Sequence, residues 1–305
     1  MTTPSPSLSA TPMVGVRAPG SKPAPPLLTS LPYAQFKRDP RFYVKYDAFW
    51  GAAALALALA LELGGYEAPI ATFDPWVLGL LPIATYLLIM AHVFIHNASH
   101  GNFPRPINRI MGELCGLVVL TKFASWEIVH RRHHRYTDDP VNDPHPAERR
   151  YWPYAWHTLS RVEQQLQREY YDCHGDTPAA RRYETFRAVW SFGTALFLLA
   201  AWYVLLGPVV FFCVFVPASV LAGLFVVHFN WSGHNAHTTD GPIAPINLDS
   251  GYFWWGNRAF FGIYYHGNHH KMARAFNPMR VKIREGGTTE GGATEGGTAE
   301  AEEPG

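Results

Sequence analysis

The sequence predicts an all-α integral-membrane protein: four transmembrane helices in two hairpins, with a cytoplasmic helical cap holding a histidine cluster. Three observations carry this reading. The hydrophobic residues, 48% of 305, are gathered into long runs, so the mean hydropathy of -0.06 is a sum of apolar and polar segments rather than the mark of a soluble chain. The 15 histidines concentrate at the ends of those runs. Finally, the net charge is only +1, which argues against a nucleic-acid binder with a broad basic surface.

Residues 1–44 read as a flexible N-terminal tail and pre-membrane segment. Pro4, Pro6, Pro12, Pro19, Pro23, Pro25 and Pro26 prevent a continuous helix there. The tail has no acidic residue before Asp39, as a transit peptide would not, yet it lacks an amphipathic helix and the apolar core of a secretory signal.

The membrane domain is expected over 45–282, with spans at Ala48–Leu63, Trp76–Ile95, Ala188–Leu206 and Val209–Phe229. Most approach the ~20 residues that cross a bilayer. Buried helices of a soluble protein would show a polar stripe every third or fourth position, and FFCVFVPASVLAGLFVVHF shows none. The loop 64–75 has no Lys or Arg, and the last two spans meet at a Gly207-Pro208 turn. Six Lys and Arg precede the first span, 13 lie between residues 100 and 187, and 6 follow residue 229, which predicts cytoplasmic termini and a cytoplasmic central loop. The run Ile110–Leu120 is too short to span and carries Glu113, so it reads as interfacial or re-entrant. Residues 283–305, repetitive in Gly, Glu and Thr, are expected to be disordered. Cys115, Cys173 and Cys213 form no CxxC pair, which excludes a zinc ribbon or disulfide scaffold.

The first histidine cluster, His96 and His100, closes the second span with i,i+4 spacing, so both rings share one helical face. His130, His133 and His134 form an HxxHH in the central loop, where His133 and His134 diverge enough to serve two neighbouring metals. The same pattern returns at His266, His269 and His270. Eight imidazoles exceed what one tetrahedral zinc can use. His234, in Asn230-Trp-Ser-Gly-His234, makes nine candidates, with His237 as a substitute for it. Imidazole suits Fe, Zn, Cu and Ni, so ligand type alone does not choose the metal.

The segments HNASHGNF, PxxxNRIMGELCG, SWEIVHRRHHRYTDDPVNDPH and YYHGNHHKMARAFNP resemble the three-histidine-box pattern of the membrane fatty acid desaturase superfamily, which also includes acyl hydroxylases and carotenoid ketolases and hydroxylases. The resemblance covers about residues 45–282. It implies a non-haem diiron oxygenase that uses O₂ and two electrons from a separate ferredoxin- or cytochrome b5-type carrier to remove hydrogen from an unactivated methylene of a membrane lipid or acyl substrate. Carried over position by position, the iron ligands and catalytic residues would be His96, His100, His130, His133, His134, His266, His269 and His270. Asn230 and His234 resemble the NxxxH that in stearoyl-CoA-type desaturases supplies a water-linked Asn and a further ligand. The last box departs from a common form with Gln first, having His266 there. The membrane would be the plasma membrane in a bacterium and the endoplasmic reticulum in a eukaryote.

Other residues have simpler readings. Asp138, Asp139, Asp143 and Asp249 are placed either to accept the second ring N–H of metal-bound imidazoles or, for the first three, to orient Arg131, Arg132 and Arg135, with a hydrated loop as the alternative. His92 and His228 read as structural, His145, His157 and His174 as surface residues, and Tyr151, Trp152, Tyr154 and Trp156 as an interfacial anchor. There is no GxGxxG, P-loop or HPGG haem motif. The leading function is an acyl desaturase and the alternative a carotenoid or lipid hydroxylase or ketolase. A zinc transporter or metal sensor is more remote, since transporters place ligands near the midplane and these histidines sit at one end.

Overall fold

The computed structural model describes residues 30–239 and 241–281. The expected tails at 1–29 and 283–305 lie outside the described residues. The described residues form ten α-helices in order: α1 Pro32–Phe36, α2 Phe42–Leu63, α3 Leu80–His100, α4 Arg105–Val118, α5 Phe123–Arg135, α6 Tyr151–His174, α7 Pro178–Val210, α8 Val216–Gly233, α9 Tyr252–Ala259 and α10 His266–Lys271. Among the described residues there is no strand, only one bridge between Asn247 and Tyr265. The all-α expectation is met.

Among the described residues, three helical segments are long and apolar enough to cross a membrane: Phe42–Leu63, Pro75–His100 and Pro178–Gly233. The third has 56 residues and contains α7, a π-helical turn over Phe211–Phe215, and α8. At Gly207 the backbone leaves the helical region, with φ 71° and ψ 162°. Trp202 and Phe215 then stack with ring centroids 5.1 Å apart, whereas a straight helix would separate them by about 20 Å. The segment therefore folds back on itself where the Gly-Pro turn is expected. The apolar α2 and α3 are consecutive, but α2 packs along α7 and α3 packs against α4 and α8. Among the long apolar helices, pairing thus runs between the sequence halves.

Charged residues obscured two boundaries in the sequence. Helix α2 begins at Phe42, six residues before the expected span, because Tyr43, Tyr46 and Asp47 are buried and Asp47 is neutralised by Lys122 at 2.8 Å. Within the segment expected to be a tail and pre-membrane stretch, α1 is folded against α5. The Tyr33 backbone N–H donates to Glu127 Oε2 at 2.9 Å and its hydroxyl to Glu169 Oε1 at 2.7 Å. Helix α4 covers the short apolar run. It buries Asn108, Arg109 and Glu113, the last two paired at 2.5 Å, and exposes Ile107, Ile110 and Leu114 along the other face.

Helices α5 and α6 form the polar cap. Arg132, 2% exposed, donates to Gln165 and Glu169 at 2.8 Å and to Asp172 at 2.6 Å, which locks α5 to α6. Arg131 pairs with Glu127 and Arg135 with Glu169. These arginines are therefore oriented by α5 and α6 carboxylates and not by Asp138, Asp139 or Asp143.

Candidate metal centre

The histidines come from four helix ends. Helix α3 carries His96 and His100 in its last turn and stops at Gly101, whose φ of 76° only glycine adopts freely. Helix α5 carries His130, His133 and His134, α8 ends just before His234, and α10 is little more than the third histidine box. The short α10 is fixed by its surroundings. Gly267 N–H donates to Ile246 O at 3.0 Å and Asn268 N–H to Asn247 Oδ1 at 2.9 Å.

Eight rings form two groups. His96, His100, His130 and His269 make the first, and His133, His234, His266 and His270 the second, with one nitrogen from each ring lying within 4.8 Å of the others in its group. His134 stands beside the first, its Nε2 3.1 Å from that of His130 and 3.0 Å from that of His269. Both HxxHH motifs are split between the groups, because a helical step of one residue turns the side chain by about 100°. Asn230 lies one turn before His234, with its amide donating to Val226 O at 3.2 Å. His237 is elsewhere, against Trp231 and Phe253, so His234 and not His237 joins the cluster.

The donor set fits metal ions. Nε2 separations are 3.1 Å for His96 and His269, 2.7 Å for His100 and His130, 2.8 Å for His234 and His266, 3.2 Å for His133 and His270, and 3.0 Å for His266 and His270. Nitrogens each about 2.1 Å from one ion stand about 3.0 to 3.4 Å apart at octahedral and tetrahedral angles. Burial, reinforced by neighbouring imidazoles, holds His130, His133, His266 and His269 well below the usual imidazole range and His134 down to about 4. These five rings are thus neutral near pH 7, which leaves each a nitrogen lone pair for coordination.

Two acidic residues anchor rings of the second group. His133 Nδ1–H donates to Asp143 Oδ1 and His234 Nδ1–H to Asp138 Oδ1, each at 2.9 Å. Asp143 is fully buried, and this pushes its carboxyl up to about 8 despite N–H donors from His145 and Asp138. A bound cation would favour its ionised form. Asp139 instead caps the turn at Val141 and Asn142, and Asp249 accepts from Tyr265 OH. His145, expected at the surface, packs edge-on against His133 with centroids 4.4 Å apart. Only its position two residues after Asp143 could have signalled this. His174 is half-buried and bonds Phe36 O, whereas His157 is exposed.

A cavity of about 570 Å³ runs against both groups. Its wall includes His96, His130, His133, His266 and His269, and the remainder is mainly apolar, from Val129 and Trp126 to Val227 and Phe276. His92 and His145 also line it. The volume is that of a small-molecule site.

A helical membrane protein whose polar cap gathers nine imidazoles against an apolar cavity is the class that fold and site define. A model of the fatty acid desaturase family matches residues 71–275, and the chain belongs to that family. It is also similar to an sn-1 oleoyl-lipid 12-desaturase of Picosynechococcus sp., with 30% identity over 109 residues, 34% of this chain and 30% of the relative. The chain thus matches under a third of that relative's length. No solved structure matches. With three segments among the described residues long and apolar enough to cross a membrane, the family makes this an integral-membrane protein.

Proposed function

We propose that the chain is an O₂-dependent fatty acyl desaturase holding two irons, one in each four-histidine group. The observation that carries this is the contact of both groups with one apolar cavity. His134, between His130 and His269, and Asn230, beside the cavity, complete the expected set. Irons so held would supply O₂ activation with two electrons from a separate carrier of ferredoxin or cytochrome b5 type, and abstraction of hydrogen from an unactivated methylene.

The protein's own part is binding and exclusion. Val129, Leu224, Val227 and Phe276 offer an acyl chain dispersion contacts and no hydrogen bonds, so the chain is held by apolar burial and water is displaced. His96, His130, His133, His266 and His269 at the wall fix which methylene lies beside the metals. Asp138 and Asp143 hold the Nδ1 protons of His234 and His133 and so present Nε2 inward.

Folding back at Gly207 would give the third segment two crossings, four in all, with the cap on the cytoplasmic side by charge distribution. The substrate class proposed is a membrane lipid or acyl chain, as in the relative's name.

The test is lipid and carotenoid profiling of an expressing host. A product lighter by two hydrogens, absent with His133→Ala, is expected. A product that gains oxygen would instead identify a hydroxylase or ketolase.

A further inference from the structure

The two histidine groups are not chemically alike. In the second, the hydrogen bonds form a chain: His133 Nδ1–H to Asp143 Oδ1, Asp138 N–H to Asp143 Oδ2 at 2.6 Å, and His234 Nδ1–H to Asp138 Oδ1. The turn that makes it possible holds Asp138 at φ 62°, a left-handed conformation that Asp tolerates better than most residues. His270 Nδ1 also faces Thr137 Oγ1 from the same segment, at the longer distance of 3.4 Å. In the first group, by contrast, the ring hydrogen-bond partners of His96, His100, His130 and His269 among the described residues are all other imidazoles.

An imidazole that donates its outer N–H to a carboxylate is a stronger base and a better-oriented ligand than one that does not. We propose that Asp138 and Asp143 make the His133, His234, His266 and His270 group the tighter metal site, and leave the His96, His100, His130 and His269 group the labile one. Both aspartates are positioning residues, acting through His234 and His133. The proposal rests on the two-iron reading above. It adds an order of loading and loss that the histidine pattern alone, which treats the boxes alike, does not contain.

The experiment uses the full chain in detergent, loaded anaerobically with ⁵⁷Fe(II) and titrated with a ferrous chelator. Iron per chain and the Mössbauer spectrum are followed together. Two release steps are expected, with His96→Ala abolishing the easier and His266→Ala the harder. Asp143→Asn and Asp138→Asn should each ease the harder step by about 10- to 100-fold while leaving the easier one in place. Thermal melts of the apo variants report folding, and Asp138→Asn, at a partly exposed side chain, provides the reading if Asp143→Asn does not fold. Release of both irons in a single step overturns the proposal and leaves the two-iron reading intact. A shift of the easier step alone, or of neither, in a folded aspartate variant also overturns it. A wild-type chain that holds fewer than two irons overturns both.

Discussion

Lys122 Nζ lies 2.8 Å from Asp47 Oδ1 and also donates at 2.9 Å to Ser191 O, Ser191 Oγ and Thr194 Oγ1. One ammonium therefore joins α2, α7 and the start of α5, the helix that carries the second histidine box. Asp47→Ala leaves that ammonium without its anion in a largely buried place, at a cost of about 3–5 kcal/mol. Thermal unfolding in detergent should show a clearly lowered midpoint. The double change Asp47→Leu with Lys122→Met, which removes both charges, should lose much less.

Gly207 holds a backbone conformation that is essentially restricted to glycine, and a Cβ there would come within 2.6 Å of Ala68 Cβ. Gly207→Ala is expected to destabilise the protein by about 1–3 kcal/mol. The same thermal assay reads this, and Gly193→Ala, where a Cβ meets nothing within 4 Å, is the matched control with little effect.

Gly223 lines the cavity, and a Cβ built on it meets no atom within 4 Å. Gly223→Ala should therefore retain activity, while Gly223→Leu fills cavity space and shifts product toward shorter chains or a different bond position. Gas chromatography of acyl esters from expressing cells checks this. An unchanged profile with Gly223→Leu would remove Gly223 from the substrate path.

His133→Ala removes a second-group ring and leaves Asp143 without its imidazole partner. Product should fall below detection and iron per chain should drop, measured by mass spectrometry and elemental analysis. His157→Ala, at an exposed ring, should leave both unchanged.

Apolar runs and histidine spacing made the helical class and the membrane segments legible, because hydrophobicity is a local property of the chain. That the nine histidines would gather in space was foreshadowed by their spacing, which is also local. Their division into two groups was harder to read: His130 and His133 are one turn apart, yet they join different groups because the α3 rings and His269 meet His130, whereas His234, His266 and His270 meet His133. The start of α2 was hidden since the neutraliser of Asp47 lies 75 positions away. His145 was likewise placed by tertiary packing alone. Pairing of α2 with α7, and of α3 with α8, depends on side-chain fit over long sequence separations and leaves no periodic trace.

The division of each HxxHH between both groups also dictates an order of events on the ribosome. When α5 has emerged, the first group holds three of its rings and the second only His133. His234 joins later, but both groups stay incomplete until α10 is made, a delay on the order of ten seconds at ordinary elongation rates. The first group lacks a ring until residue 269 is made and the second until residue 270, so the last short helix acts as the clasp that closes both.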